Sequence, residues 1–480
     1  MKRKKILLCS DDITTTSGVA QMSKNIIVGL ASDYDWVQLA ASNLPPPGNA
    51  YDISKAVNEA AGIDDSHVIL YPVKGYGNKF IMELILEQEK PDAIIIFTDP
   101  RFWKWFFKME HIIHQKYGIP ILYYSIWDNA PIPVWNKGAY ASCNALMAIN
   151  KQTHVIHKEV LKLDSSIKTV DLTINDNDID IDKDTVILNY VPHGIDPGMY
   201  YPITKFDEDY DNYIKFKDSF FKMYDVNRVF FWNNRNITRK RSIDVLMSFK
   251  KFCDLINNSK SGYKSDNFLL LVHTNPFDPN GPNLIDVAKH LCSGAKIGFS
   301  TKKISNKELN YYYNLSDLTI NIANAEGFGL SSAESLMSGT PVLSNVTGGL
   351  QDQMGFDFNH TKENLSNNIG LVTKCGKWAF PLFADSQNYE GSQETPFLQN
   401  DYISVENISK KLYEIVTQLN SNDLKERGLL GREYLLSNKG KMSIRYMCKG
   451  IKDTLYMAMK HYKKRDRIEL IKIDNEIRLK

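Results

Sequence analysis

Short apolar segments alternate with longer amphipathic ones along most of the chain, and this alternation limits the fold more than any other feature. Ala93–Thr98 is a typical apolar segment, and a helical pattern follows it. Short continuous apolar segments are typical of parallel strands that are covered by helices on both faces, and the amphipathic helices connect one strand to the next. The sequence therefore predicts an α/β protein built from βαβ units.

The predicted strands fall into two series, separated by a cluster of Pro and Gly residues in Val191–Ile203. The first series is Ile6–Cys9, Val37–Ala41, Val68–Tyr71, Ala93–Thr98, Ile121–Tyr124, Leu146–Ile149 and Val186–Tyr190. The second is Arg228–Trp232, Phe268–Val272, Lys296–Phe299, Leu318–Ile322, Val342–Asn345 and Gly370–Thr373. We predict two Rossmann-like, doubly wound domains, residues 1–200 and 201–440, and a basic helical segment, residues 441–480.

Charge is balanced over the whole chain but uneven along it. The 480 residues carry a net charge of +2, which argues against a chain dominated by electrostatic binding to nucleic acid or membranes. Residues 441–480 nevertheless hold 12 Lys and Arg against 5 Asp and Glu. Asp171–Asp184 is acidic, but it lacks the central Gly and closing Glu of a calcium loop, so a solvated insertion is favoured.

The apolar segments and the cysteines indicate a cytoplasmic protein without a membrane span. The longest apolar runs are far shorter than the ~20 residues that a spanning helix needs. The basic start, Met1–Lys5, leads into the first strand and not into the core of a signal peptide. The six cysteines show no C-x-x-C spacing, so we expect reduced thiols in the core.

The most informative segment runs from Asn324 to Leu343 and contains Glu326-Gly-Phe-Gly-Leu followed by Glu334. It predicts a strand, a glycine loop and a short helix that is capped by Ser331 or Ser332. Amides at such a helix start bind anionic or hydroxyl-rich ligands, and the glycines let a ligand approach the backbone. We expect both carboxylates to lie on one side, ionised, as acceptors for hydroxyl groups.

This segment, which ends with Gly-Thr-Pro-Val-Leu, resembles the E-x7-E signature of retaining GT-B glycosyltransferases of family 4. Other parts of the chain resemble the family in the same order: Ser17-Gly18-Val19-Ala20, Val191-Pro-His-Gly194-Ile-Asp196, Trp232-Asn-Asn-Arg235 through Lys240, and Gly348-Gly349-Leu350. The resemblance implies two domains that face a central cleft, with a C-terminal helix that returns to the first domain.

The resemblance also implies a role for each matching residue. Arg235 and Lys240 would bind the diphosphate of a nucleotide-sugar donor, Glu334 the ribose hydroxyls, Gly18 would adjoin the phosphates, and Glu326 with the amides of Gly327, Phe328, Gly329 and Leu330 would hold the transferred sugar. Fixed cations stabilise a departing diphosphate without a metal ion. From the residues alone, the sequence Arg239-Lys240-Arg241 also fits an exposed run of charge.

The segment Tyr123–Asn129 departs from the family pattern. Trp127 stands where the family usually has a His near the donor sugar, and Asp128 follows it. Asp128 is a candidate base on the acceptor side, and anchoring the following Pro-containing loop is an equally good interpretation. The family also commonly has a second glycine beside Gly18, and a Glu at the position of Asp352.

Two further patterns remain open. The segment Asp99–Lys108 interleaves aromatic rings with Arg and Lys, which suits either nucleic-acid stacking or a core helix with solvated cations. His111 and His114, like His154 and His157, have helical spacing but no third ligand, so no metal site is predicted.

We therefore predict a retaining, metal-independent glycosyltransferase that moves a hexose or pentose from a nucleotide-diphosphate sugar to an acceptor hydroxyl. The acceptor is a glycan, a glycolipid or a modified DNA base. One alternative is a phage-type enzyme that glycosylates hydroxymethylated bases in DNA after base flipping. Another is a non-catalytic subunit that binds nucleotide-sugar.

Overall fold

The computed structural model of the protein describes residues 3–42, 49–174, 181–356, 365, 374–464, 470–473 and 476–479. Helices and strands alternate through these ranges as the sequence pattern predicts. None of the helices in them is both long and apolar enough to cross a bilayer.

The first half of the chain forms a nine-stranded sheet in the order β3-β4-β2-β1-β5-β6-β7-β9-β8. Its strands are β1 (Lys4–Asp11), β2 (Tyr34–Ser42), β3 (Tyr51–Asp52), β4 (Val68–Lys74), β5 (Ala93–Phe97), β6 (Ile121–Ser125), β7 (Ala145–Ala148), β8 (Lys168–Asp171) and β9 (Thr185–Tyr190). Every pairing is parallel except that of β3 with β4. All seven strands predicted for this half are present.

Seven α-helices accompany this sheet: α1 (Gly18–Gly29), α2 (Ser54–Ala61), α3 (Lys79–Glu89), α4 (Lys104–Phe107), α5 (Glu110–Ile112), α6 (Lys137–Ala141) and α7 (Lys151–Leu161). The helical pattern that follows Ala93–Thr98 in the sequence forms helical turns, but not one continuous helix. The segment divides into a 3-10 turn at Pro100–Trp103, the short helices α4 and α5, and a π-helical turn at Ile113–Tyr117. Trp103, Phe106, Phe107, Met109 and Ile113 are buried along this segment.

The second half forms a six-stranded sheet in the order β12-β11-β10-β13-β14-β15, with every pairing parallel. Its strands are β10 (Arg228–Asn233), β11 (Phe268–His273), β12 (Ile297–Ser300), β13 (Leu318–Asn321), β14 (Val342–Asn345) and β15 (Ala379–Leu382). The strand predicted at Gly370–Thr373 lies outside the described residues, and β15 is the edge strand beside β14.

The helices of the second half are α8 (Tyr210–Tyr224), α9 (Ser242–Asn257), α10 (Leu284–Leu291), α11 (Asn306–Leu315), α12 (Leu330–Met337), α13 (Gly348–Gln353), α14 (Val405–Gln418) and α15 (Ser421–Leu436). A hairpin that the sequence analysis missed, β16 (Ser386–Glu390) with β17 (Leu398–Tyr402), stands apart from the main sheet. Every residue of β16 is exposed, so the segment has no apolar period to reveal it.

The last helix, α16 (Ile444–Lys460), crosses back and packs on α1, β7 and β9 of the first sheet. Asn189 in β9 donates to the Thr454 hydroxyl over 2.9 Å. The predicted return of a C-terminal helix is therefore present. The helix ends at Lys460 and does not fill the predicted segment, in which β18 (Leu470–Ile473) and β19 (Glu476–Leu479) pair as antiparallel strands.

The six cysteines are free thiols, and five of them are buried. Cys9 lies in β1 and Cys448 in α16, both within apolar clusters, as expected for reduced cysteines that act as small core residues.

Gly194 lies where the chain passes from the first half to the second, against the start of α16. A Cβ atom at this position would lie 2.5 Å from the backbone N and Cα of Ile444. We expect Gly194→Ala to destabilise the protein by about 1–3 kcal/mol, as overpacking does. Gly138 in α6 has no atom within 4 Å of such a Cβ, so Gly138→Ala is the matched control and should leave the melting temperature unchanged or slightly higher. Equal melting temperatures for the two variants would contradict this packing argument.

Candidate functional site

Each main sheet has a switch point, where the strand order reverses direction and a crevice opens at the carboxyl ends. In the first sheet it lies between β1 and β5, and in the second between β10 and β13. Ligands of doubly wound α/β sheets bind at such points. The loops that follow β10 and β13 contain Lys240 and Glu326, so the second sheet brings these two predicted residues to its switch point.

The loop from β13 to α12 is shaped by glycine. Gly329 has φ +89° and immediately precedes the first residue of α12, Leu330. The prediction that Ser331 or Ser332 caps this helix is wrong, because both lie inside it and the left-handed backbone of Gly329 starts the helix earlier. The amide of Gly349 donates to the Glu326 carbonyl over 2.9 Å, so a second glycine loop supports the first.

Glu326 is the centre of a buried ionic cluster. Its Oε2 atom accepts hydrogen bonds from the Lys240 ammonium and, over 3.1 Å, from the Arg239 guanidinium. The Lys240 and Glu326 side chains are each only 9% exposed. Burial by itself raises the pKa of Glu326, but the two cations outweigh it and hold that pKa below its usual value. Since Lys240 and Arg241 are buried, the three cations are not an exposed run of charge.

Arg235 lies apart from the cluster around Glu326 and pairs with another carboxylate. Its guanidinium forms a bidentate pair with Asp278, with Nε–Oδ2 and Nη2–Oδ1 distances of 2.7 and 3.2 Å. The Arg235 side chain is 61% exposed. The cation that accompanies Lys240 at Glu326 is therefore Arg239, which the sequence analysis did not select.

Glu334 is the fifth residue of α12, one turn beyond the start of the helix, and has its own partners. Tyr313 donates its hydroxyl to Glu334 over 2.8 Å. Burial raises the pKa of Glu334 to about 7, and the hydrogen bonds from Tyr313 and Tyr200 oppose this shift. The expectation of a fully ionised carboxylate is therefore wrong near neutral pH, because burial outweighs the effect of the helix start.

On the first domain, the loop after β6 places Asp128 opposite this cluster. The Asp128 carboxylate lies 3.9 Å from the Arg239 guanidinium. Its pKa is raised, chiefly by burial. Trp127 points elsewhere: its indole is buried in the first-domain core, donates to the Asn129 carbonyl over 2.8 Å and packs edge-on against Trp135. Asp128 is therefore directed towards the second domain, whereas Trp127 is not.

Three further contacts join the domains beside the site. Asn150, at the carboxyl end of β7, donates its side-chain amide to the Gly327 carbonyl over 2.6 Å. Gln152 accepts from the Gly348 amide over 3.0 Å. Asp352 accepts from the backbone amide of Lys151 over 2.8 Å, and burial raises the pKa of Asp352 to about 6.

Gly18 and the remaining loop residues lie at the same junction. A Cβ atom at Gly18 would approach the Leu330 side chain to 3.0 Å, so the first loop of the first domain meets the start of α12. Phe328 is buried, and its ring packs against His193 with centroids 5.2 Å apart. The structure thus gathers Gly18 and the Gly327–Leu330 segment with Lys240, Glu326 and Asp128.

Several basic and aromatic residues of 99–108 have partners within the protein. Trp103 and Phe106 are fully buried. Arg101 pairs with Asp99 over 2.6 Å, and Lys104 with Glu394 of the β16–β17 hairpin over 3.0 Å. Both cations therefore have carboxylate partners, as do His114 beside Glu110 and His154 beside Asp171. Among the residues that the structure describes, no three His, Cys, Asp or Glu side chains cluster in a way that would hold a metal ion.

Comparison with known proteins identifies the fold. No family model matches the chain, and no curated protein matches its sequence. Solved structures do match it: sucrose-phosphate synthase from Thermosynechococcus elongatus has 12% identity and a TM-score of 0.63, covering 96% of this chain and 100% of that one. HepE from Anabaena, in complex with UDP and glucose, has 9% identity and a TM-score of 0.60, covering 95% and 100%. The α,α-trehalose 6-phosphate synthase from Burkholderia multivorans has 9% identity and a TM-score of 0.61, covering 96% and 100%.

These similarities and the two facing parallel sheets show that the chain has the GT-B fold.

The raised pKa of Glu334 makes stability depend on pH. Because the folded protein holds this proton more tightly than the unfolded chain, the stabilisation is complete below pH 4.5 and is lost as pH rises through about 7. This rise in pKa corresponds to at most roughly 3 kcal/mol in the free energy of unfolding. We expect the melting temperature of Glu334→Gln to change less between pH 4.5 and 7.5 than that of the parent protein. Glu426→Gln, at an exposed position of α15, should show the same dependence of melting temperature on pH as the parent protein. If Glu334→Gln also showed the parent's dependence, the raised pKa of Glu334 would be contradicted.

Proposed function

We propose that this protein is a retaining glycosyltransferase that moves a sugar from a nucleotide-diphosphate sugar to an acceptor hydroxyl. The observation that carries the proposal is the buried cluster of Lys240, Arg239 and Glu326 at the switch point of the second sheet, facing Asp128. Its fold is shared with HepE, whose solved structures contain UDP and UDP-glucose. UDP-glucose is therefore the donor to test first.

The cluster suits a diphosphate leaving group. Negative charge develops on the diphosphate as its bond to the sugar carbon breaks, and fixed cations in a dry site stabilise that charge. Lys240 and Arg239 are two such cations, both already directed at one carboxylate oxygen. We propose that the diphosphate takes up these cations without a metal ion, leaving Glu326 to accept hydrogen bonds from the transferred sugar.

The neighbouring residues supply the other donor contacts in this proposal. The amides of Gly327, Phe328, Gly329 and Leu330 hold the sugar and phosphates. Glu334 accepts from the ribose hydroxyls, beside Tyr313. Gly18 leaves room for the donor where the first domain meets Leu330.

The anomeric configuration is retained because the acceptor attacks the sugar carbon on the same face from which the diphosphate leaves. The acceptor oxygen forms a bond to the sugar carbon while the bond to the diphosphate oxygen breaks, and the acceptor proton passes to that phosphate oxygen. Asp128 lies on the first-domain side of this path and accepts a hydrogen bond from the acceptor hydroxyl. Asp128 lies 3.9 Å from Arg239, so in this proposal the acceptor and the leaving group meet at the same junction between the domains.

Two substitutions test the cluster directly. We expect Glu326→Gln and Lys240→Ala each to lower sugar transfer from UDP-glucose by about 100-fold or more, as loss of a single transition-state contact does. Lys251→Ala removes an exposed cation of α9 and is the matched control. Transfer and slow donor hydrolysis are measured together with melting temperature. Full activity in either site variant would refute the assignment, and donor binding without any hydrolysis would favour the non-catalytic subunit.

The two arginines give a second test, because the family resemblance and the geometry select different residues. We expect Arg239→Ala to weaken UDP binding at least tenfold, and Arg235→Ala to weaken it less, since Arg235 is exposed and paired with Asp278. Isothermal titration with UDP gives both affinities. A larger loss in Arg235→Ala would show that the residue chosen by the family pattern is the diphosphate ligand.

A further inference from the structure

The base of the β16–β17 hairpin is bonded to the loops that carry the buried ionic cluster. The Asp401 amide donates to the Asn324 carbonyl over 3.1 Å, two residues before Glu326. Directly after the hairpin, the Ile403 carbonyl accepts from the Arg241 guanidinium over 3.0 Å. Asp401 and Arg241 are both buried, so the base of the hairpin belongs to the second domain and moves with it.

Beyond its base, the hairpin bonds to the loop that follows β6 in the first domain. Gln399 uses both of its backbone groups there: its amide donates to the Ala130 carbonyl over 2.8 Å, and its carbonyl accepts from the Asn129 side chain over 3.0 Å. The Phe397 ring packs edge-on against Trp135, with centroids 4.8 Å apart. One element of the second domain therefore holds the loop of the first domain that contains the candidate acceptor-side carboxylate.

Asp128 depends on these neighbours for its position. Its carboxylate makes no hydrogen bond to any residue that the structure describes. The residue before it is fixed from the first domain, since the Thr153 hydroxyl donates to the Trp127 carbonyl over 2.5 Å. The residue after it is fixed from the second domain, through the bond from Asn129 to Gln399. Asn129 is only 9% exposed, so losing this bond would leave a buried polar group without its partner.

We propose that the β16–β17 hairpin positions Asp128 for the reaction, and that Asn129 is the positioning residue through which the hairpin acts. This inference rests on the proposed glycosyltransferase function and adds the element that makes Asp128 competent. Asp128 takes its place 3.9 Å from Arg239 only while the hairpin is bonded to the first domain. The acceptor-side carboxylate is thus assembled together with the donor site, and an open cleft protects the donor from attack by water.

Hydrolysis of UDP-glucose by the full-length protein, in which water takes the place of the acceptor, tests the positioning role. Asn129→Ala removes the bond to the Gln399 carbonyl and leaves Asp128 in the chain. We expect kcat to fall about tenfold, as misplacement of a reacting group causes, while KM for UDP-glucose stays unchanged. Asn58→Ala is the matched control: it removes a side chain of α2 that bonds to Ser66, and it should keep the parent kcat.

A double variant distinguishes positioning from a general loss of structure. Asp128→Asn alone should lower kcat, and if Asn129 acts through Asp128, adding Asn129→Ala to that variant causes no further loss. Equal fold losses from Asn129→Ala in the parent and in Asp128→Asn would overturn the proposal, because Asn129 would then act elsewhere. A parent-like kcat in Asn129→Ala would overturn it as well.

Hydrogen–deuterium exchange tests the attachment of the hairpin without any turnover. We expect peptides that cover β17 to exchange about fivefold faster in Asn129→Ala than in the parent, as loss of one hydrogen bond allows, and at the parent rate in Asn58→Ala. If Asn129→Ala does not fold, Phe397→Ala removes the ring that packs on Trp135 and should change exchange and kcat in the same directions. If the parent hydrolyses no UDP-glucose, the donor assignment fails and exchange alone decides: faster exchange supports the attachment, and equal exchange overturns it.

Discussion

The geometry of the site depends on hydrogen bonds across the cleft, among them the one from the Asn150 side chain to the Gly327 carbonyl. The same side chain caps α7 by accepting from Thr153 over 2.6 Å. The Asn150 side chain, which follows β7, therefore caps the start of α7 in the first domain and also holds the loop of the second domain that contains Glu326. The loop is placed by both domains together, so the site is complete only when they are closed.

Burying Lys240 against Glu326 costs desolvation free energy. Removing each charge from water costs several kcal/mol, and a close partner must offset that cost. Arg239, with a side chain 42% exposed, adds a cation that keeps part of its contact with water. The cluster holds more positive charge than Glu326 alone neutralises, which is a suitable resting state for a site that receives an anion.

Much of this architecture could be predicted, because buried parallel strands have a strong sequence pattern and glycine loops follow them at fixed places. All seven strands predicted for the first sheet are present. The partners across the cleft could not be predicted. Arg239 and Asn150 acquire their roles from contacts 87 and 177 residues away in sequence. The start of α12 depends on the left-handed backbone of Gly329, and the pKa of Glu334 depends on burial; local propensity reports neither. The exposed β16 strand has no apolar pattern at all.

The two places where the chain passes between the domains lie side by side. Ile195 donates to the Met442 carbonyl over 3.0 Å, and Ile444 donates to the Ile195 carbonyl over 3.2 Å. The outgoing and returning segments are therefore joined to each other by an isolated parallel β-bridge between Ile195 and Ser443, and are not two independent tethers. Because both crossings lie at one place, opening of the cleft would turn the two domains about that place.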